Sequence, residues 1–360
     1  MNPVILIGLT PQGLSMLRVL SRAGANVVAF CSSKRNVGYS SKYGKKYLFK
    51  NTDDLKLQIR EFIHQYHEKL LCYITSGEAL AMILQEYPEL YLECNVISGP
   101  YEVVERFAHK DLMYQHAIGC GFNVVPYVTL DKLDESKWKY PFFVKRNYEI
   151  PLPFKTSIIN SDYDLSNLRT SVPVDNWPYI MIQELIPVAK TNRMEFSVQC
   201  YFSHGVLNGS LVGHQKRKTN TGLTSRLVEI TDPEIVRDAV ELCKKFMKDT
   251  SYTGFAEFEF LRDTVTCTNY FLEVNTRPCG THSSLVSKFS NLVEVLLNPY
   301  GGAKLKITDN HVNWRNIARD IRVVLGCGIS GQPDFSVFCS FDVFDIRDMK
   351  PFITQFIPFL

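Results

Sequence analysis

The chain has 360 residues and a mass of 41.2 kDa, enough for two or three domains with cores of their own. Its formal charge of +3 gives no broad polycationic surface, so a nucleic-acid backbone is not an implied partner, and its 45% hydrophobic and 21% charged content is ordinary for a globular enzyme or binding protein. No apolar run is long enough to cross a bilayer and the first residues carry no basic leader, so a cytoplasmic protein with no membrane partner is expected.

From the start of the chain, Val4 to Gly8 reads as an apolar strand. Pro11 to Ala23 reads as a helix carrying Leu14, Leu17, Val19 and Leu20, and Ala25 to Cys31 as a second strand, which together make a βαβ unit. Gly8 and Gly13 bracket the first turn, but Gly8-Leu9-Thr10-Pro11-Gln12-Gly13 lacks the G-x-G-x-x-G spacing of a dinucleotide fingerprint. Lys34 to Lys50 is basic and rich in Gly, Ser and Tyr, and reads as a loop. A helix over Leu55 to His67, a strand over Leu70 to Ile74 and a helix over Glu78 to Gln85 complete a parallel α/β domain spanning residues 1–97. Thr75-Ser76-Gly77-Glu78 lies just past a strand's C-terminal end, where such sheets bind ligands, and serves equally well as a helix cap.

A linking helical region over 98–123 holds one helix, Tyr101 to Ala117, with Lys110 on it; taken alone, that lysine is a solvated surface residue. Pro141-Phe142-Phe143-Val144-Lys145 is an apolar strand that delivers an amine to one face, as phosphate-binding lysines do. Tyr179 to Pro187 is a buried strand whose tail offers a backbone carbonyl and amide two residues apart, a pattern that can read an adenine edge. Glu195 to Tyr201 and Leu207 to Val212 form a hairpin about Gly205, followed by the basic run His214-Gln215-Lys216-Arg217-Lys218. Pro233 to Lys248 is an amphipathic helix, and Asn291 to Leu297 another with Ser290 as its cap. The tail, with Phe335, Phe338, Phe341 and Phe344, is expected to pack as short strands on the main body. The ten cysteines contain no C-x-x-C pair, which argues against zinc knuckles and thioredoxin chemistry and for reduced, half-buried thiols.

The most informative stretch is Tyr270-Phe271-Leu272-Glu273-Val274-Asn275-Thr276-Arg277-Pro278. Period-2 alternation turns Glu273 and Asn275 onto one face. The strand Gly254 to Leu261, paired antiparallel with it, would add Glu259, giving hard oxygen ligands for Mg²⁺ carrying a nucleotide phosphate. Arg277 at the strand's end could meet a phosphate or carboxylate in fork geometry. The competing reading of the same residues is a solvated sheet face.

In order and spacing, Lys110, Lys145, Gln183 to Ile186, Glu195, His214 to Lys216, Glu259, Glu273, Asn275 and Arg277 resemble the ATP-grasp superfamily, carboxylate-amine ligase type, over about residues 1–300. The resemblance implies an α/β fold, an ATP-grasp fold preceded by a small Rossmann-like domain, with a small subdomain over 124–190, a larger one over 191–300, nucleotide between them, and a C-terminal extension over 301–360. It implies ATP and Mg²⁺ as cofactors, with Glu259, Glu273 and Asn275 as metal ligands and Lys110 and Lys145 on the phosphates. Gln183, Glu184, Leu185 and Ile186 would hold adenine, through the Glu184 carbonyl and the Ile186 amide, and Glu195 the ribose. Lys216 would face the γ-phosphate or an acyl phosphate, and Arg277 the acceptor carboxylate.

The partners so implied are small-molecule carboxylate and amine substrates, an amino acid among the candidates, and a homodimer is compatible with the family. Alternatives are a bicarbonate-dependent carboxylase or carbamoylating enzyme, to which His214-Gln215-Lys216 points, and an ATP-binding regulatory protein. The family has a glycine- and serine-rich loop after the strand lysine. Here Arg146-Asn147-Tyr148-Glu149-Ile150-Pro151-Leu152-Pro153 holds no glycine, leaving Arg146, Lys155, Thr156 and Ser157 as substitutes.

Overall fold

The computed structural model describes residues 2–148, 154, 156–220, 222–326 and 340–356, without the side chains of 322–326. They divide into two compact units. One comprises Met1–Val103, Glu195–Phe258 and Asn275–Leu360, the other Val104–Met194 and Glu259–Val274.

The first unit opens with β1 (Val4–Ile7), α1 (Pro11–Arg22), β2 (Val27–Cys31), β3 (Lys45–Leu48), α2 (Thr52–Ile63), β4 (Leu71–Ile74), α3 (Gly77–Glu86), α4 (Leu90–Glu93) and β5 (Asn95–Val96). The strands form one parallel sheet in the order β3-β2-β1-β4-β5. Every residue of β1 and β2 is buried, as a parallel sheet covered on both faces requires. β3 lies inside the basic stretch expected to be a loop. Its residues are mostly half-exposed, so an edge strand there carries almost no hydrophobic signature.

Gly8, at φ +97°, and Gly13 make the β1-to-α1 turn tight, because a Cβ on Gly13 would fall 2.4 Å from the Gly8 carbonyl oxygen. The Thr75 hydroxyl donates to that carbonyl at 2.7 Å, and Ser76 caps α3 by accepting from the Ala79 N–H at 3.1 Å. The Thr75-Ser76-Gly77-Glu78 segment thus acts as a cap, with Glu78 exposed in the first turn.

Next come α5 (Tyr101–Ala108), α6 (Lys110–Gly119), β6 (Tyr127–Thr129), β7 (Phe142–Arg146), β8 (Thr156–Ile159), α7 (Asp162–Ser171) and β9 (Ile180–Glu184). The single helix expected over Tyr101 to Ala117 is two, because His109 is extended, at φ −85° and ψ 111°. The second unit's sheet has the order β6-β9-β7-β8, antiparallel throughout. Phe142 and Val144 of β7 pack with Ile180 and Ile182 of β9 and with Leu165 and Leu168 of α7. The opposite face carries Phe143, Lys145, Met181 and Gln183, Lys145 lying opposite Met181 and Phe143 opposite Gln183.

The chain continues through β10 (Arg193–Ser203), β11 (Val206–Lys218), β12 (Thr224–Glu229), α8 (Pro233–Met247), β13 (Gly254–Asp263), β14 (Asn269–Asn275), α9 (Ser283–Lys288), α10 (Leu292–Leu297), β15 (Asn313–Arg315), α11 (Ile317–Gly326), β16 (Ser340–Phe341) and α12 (Lys350–Ile353). The third sheet runs β14-β13-β10-β11-β12-β15-β16. β13 and β14 are neighbours joined through a short turn, with the Asp263 N–H on the Thr268 carbonyl at 2.9 Å; so brief a connection permits only antiparallel pairing.

Three local expectations change. His214 to Lys218 lies within β11 rather than after it, the strand reaching Lys218 through bulged pairing with β12. Ser290 does not cap α10: its hydroxyl donates to the Lys306 carbonyl at 3.3 Å, and Asn291 occupies the cap position with its side chain bonded to Lys304 and Lys306 instead of the helix. Among the described residues of the tail, only Ser340 and Phe341 are strand; the rest includes the short α12 and is tied to α1, where Arg18 meets Asp348 at 2.9 Å. Phe335 and Phe338 lie outside the described residues.

Candidate nucleotide site

The helix break at His109 places Lys110 as the first residue of α6, whose unpaired N–H groups need acceptors. Asn147 supplies them. Its carbonyl accepts from the Lys110 N–H at 2.9 Å and its Oδ1 from the Asp111 N–H at 2.8 Å. Tyr148 stacks on His109, with ring centroids 4.0 Å apart and planes 9° from parallel. Two residues of the glycine-free segment therefore brace the helix that carries Lys110. Asn147 is buried, and its bond from the Asp111 N–H uses a side chain that glycine lacks.

Lys110 and Tyr114 stand four residues apart on one face of α6 and both reach β14. The Lys110 Nζ lies 4.0 Å from a Glu273 carboxylate oxygen. The Tyr114 hydroxyl donates to the Leu272 carbonyl at 2.6 Å and accepts from the Lys145 Nζ at 2.6 Å, with that ammonium 4.8 Å from the ring centroid. Burial pushes the Lys145 amine down to about 8, and the Glu273 carboxylate opposes the shift. Gln183, buried on the same sheet face, hydrogen-bonds Tyr114, whose hydroxyl is held above its ordinary range first by burial. Tyr114 and Asn147 carried no motif; the only sequence signal for Tyr114 is its i+4 spacing from Lys110.

At the end of β9, the Glu184 N–H donates to the Pro126 carbonyl at 3.0 Å and the Ile186 carbonyl accepts from the Val188 N–H at 2.8 Å. Neither bond uses the Glu184 carbonyl or the Ile186 N–H, the pair expected to read adenine. Leu185 between them is exposed. Glu259, half-buried in β13, directly precedes Phe260, whose ring lies 5.8 Å from that of Phe271 in β14.

In the first unit, Glu195 of β10 pairs with Lys218 of β11. Lys216 is exposed, and burial pushes the His214 imidazole down to about 4, aided by Lys216 and opposed by Glu195. The Arg277 Nη2 donates to the Asn275 Oδ1 at 3.0 Å and its Nη1 to the Pro278 carbonyl at 3.2 Å. Its guanidinium also lies against Gly77, where a Cβ would sit 3.3 Å from Nε, so the start of α3 and the end of β14 are neighbours. Of the loop side chains expected to substitute for glycine, Arg146 donates to the Phe154 carbonyl at 3.0 Å and Thr156 and Ser157 are exposed on β8. Glu149 to Pro153 and Lys155 lie outside the described residues.

No protein-family model and no curated protein sequence matches the chain. Solved structures match it in fold. One is N5-carboxyaminoimidazole synthetase from Staphylococcus aureus complexed with ADP, at TM-score 0.62 and 15% identity, covering 85% of this chain and 79% of that one. An ADP complex of N5-carboxyaminoimidazole ribonucleotide synthetase reaches TM-score 0.69 at 14% identity, covering 91% and 85% of the two chains. The chain has the ATP-grasp fold. L-amino acid ligase from Bacillus licheniformis shares it at TM-score 0.62 and 16% identity, over 84% of this chain and 74% of that one.

Among the described residues, no group of three or more His, Cys, Asp or Glu is arranged to hold a metal ion. Two carboxylates and an amide are nonetheless a donor set that suits Mg²⁺ shared with phosphate oxygens, since that ion is commonly held by one or two carboxylates plus substrate.

Proposed function

We propose that this protein is an ATP-dependent carboxylate-amine ligase. A carboxylate takes the γ-phosphoryl group of ATP to form an acyl phosphate, and an amine attacks it to give an amide, ADP and phosphate. The observation that carries the reading is the grouping, on an ATP-grasp fold, of Lys110, Lys145 and Glu273 about one helix face and one strand. Two cationic groups beside a carboxylate are what binding and polarising a transferring phosphoryl group requires.

Lys110 and Lys145 bind phosphate oxygens, and the segment from Gln183 to Ile186 holds adenine, with the Glu184 carbonyl and Ile186 amide reading its edge. Glu195 accepts from the ribose. Glu259, Glu273 and Asn275 would hold Mg²⁺, which when bound neutralises charge on the phosphates. Lys216 faces the γ-phosphate or acyl phosphate, and Arg277, as a rigid fork, holds the acceptor carboxylate. Acceptor specificity then belongs to the strand ends of the N-terminal sheet and to the turn from Cys279 to Ser284. The test is incubation with ATP, Mg²⁺ and pools of amino acids and short carboxylates, in which ADP and phosphate should form; AMP and pyrophosphate as products would exclude the reaction.

A second reading is carboxylation with bicarbonate as the activated acid. It is favoured by His214-Gln215-Lys216 and by the likeness to carboxyaminoimidazole synthetases. ADP formation that requires bicarbonate and no added organic acid would establish it over amide ligation.

A further inference from the structure

Tyr114 is wholly buried, yet its hydroxyl is committed on both sides, accepting from the Lys145 ammonium and donating to the Leu272 carbonyl, each at 2.6 Å. It ties a lysine of β7 to the backbone beside Glu273 in β14. A lysine stem has four rotatable bonds, and a buried ammonium without a fixed acceptor would sample several positions. Here the phenol ring lies under the ammonium and the hydroxyl fixes its direction, while the Leu272 carbonyl fixes the hydroxyl. Gln183 adds a third contact, and Glu273 and Lys110 are the charged groups facing the cluster.

Resting on the nucleotide-binding reading above, we infer that Tyr114 is a positioning residue for the nucleotide phosphates, acting by holding the Lys145 ammonium in place. A lysine already oriented before binding loses less conformational freedom on contact. Tyr114 touches no phosphate itself.

The test is equilibrium binding of ADP and of adenosine, in excess Mg²⁺, to the full chain and to Tyr114→Phe, Lys145→Met and the double variant. Tyr114→Phe should weaken ADP about tenfold, the scale of losing one hydrogen bond to a charged group, and leave adenosine unchanged. In the Lys145→Met background the same substitution should add less than about twofold, because its target is gone. Equal weakening of ADP and adenosine, or a full loss that persists without Lys145, would overturn the positioning role. If Tyr114→Phe does not fold, Lys145→Arg reads the same point: it keeps the charge but moves it off the hydroxyl, so selective loss of ADP supports the role and unchanged ADP binding overturns it. Absence of ADP binding by the unaltered protein would overturn this inference and the nucleotide reading together, whereas ADP binding indifferent to Tyr114→Phe would overturn this inference alone.

Discussion

The parallel sheet of the first unit and the antiparallel sheet of the second solve the same burial problem in opposite ways. β1 and β2 are buried on both faces, so their side chains are all packing, and the sheet's polar groups sit at strand ends, where Gly77, just past β4, lies against Arg277. β7 and β9 bury Phe142, Val144, Ile180 and Ile182 on one face and place Lys145 and Gln183 on the other. A parallel sheet packed with apolar side chains on both faces can offer a ligand only its ends; the second sheet packs apolar side chains on one face and uses the other to hold Lys145 and Gln183 against Tyr114 of α6.

The largest expected effect tests the two-sided sheet. Leu6, fully buried between Ala29 and Tyr73 in neighbouring strands, is pure core, and Leu6→Ala should cost about 4 kcal/mol of stability by chemical denaturation. A loss under about 1 kcal/mol would mean that this sheet is not closed as described.

Burial in the first unit also predicts a pH dependence that one residue can isolate. His282 is fully buried, accepts or donates at the Ser15 hydroxyl through Nδ1 at 3.2 Å, and is pushed by burial from 6.5 down to about 4. Its folded value lies below its unfolded one, so the unfolded chain binds the extra proton and stability is lost as pH falls from about 6.5 to 4. The loss should reach about 3 kcal/mol, seen as the difference in pH dependence between the protein and His282→Asn. Asp342, pushed up by burial from 3.8 to about 6, works in the other sense over most of this window, which is why the difference and not the raw curve is decisive. Parallel pH curves for the two proteins would show that His282 is not a buried neutral imidazole.

On the second unit's sheet and on β14, the expected effects are on activity. Glu273→Gln keeps shape and hydrogen bonding but removes charge; the side chain is 36% exposed, so the fold should survive while Mg²⁺-supported ATP turnover drops about 10²-fold. Unchanged turnover would remove Glu273 from the metal shell.

The smallest effect separates strand ends from strand face. Arg277→Lys keeps charge but loses the fork and the bond to Asn275, and should weaken the apparent affinity for the carboxylate about tenfold while leaving that for ATP within about twofold. Equal losses for acid and nucleotide would place Arg277 on the phosphates instead.

Period alone reveals much of this molecule. Continuous apolar runs announce β1, β2 and β7, alternation announces β10 and β13, and a 3.6-residue rhythm announces α1 and α8, because burial of one stripe or face writes itself directly into residue order. The same alternation puts Glu273 and Asn275 on one face of β14, with Arg277 just past its end. Only the tertiary structure decides the rest. The edge strand β3 is half-exposed and so leaves no apolar trace, and α5 and α6 part at His109 where Asn147, 36 residues beyond Asp111, accepts from the first turn of the second helix. Tyr114 matters through partners 31 and 158 residues away, and no local propensity encodes a hydrogen bond whose two ends meet only when separate strands and a helix have packed.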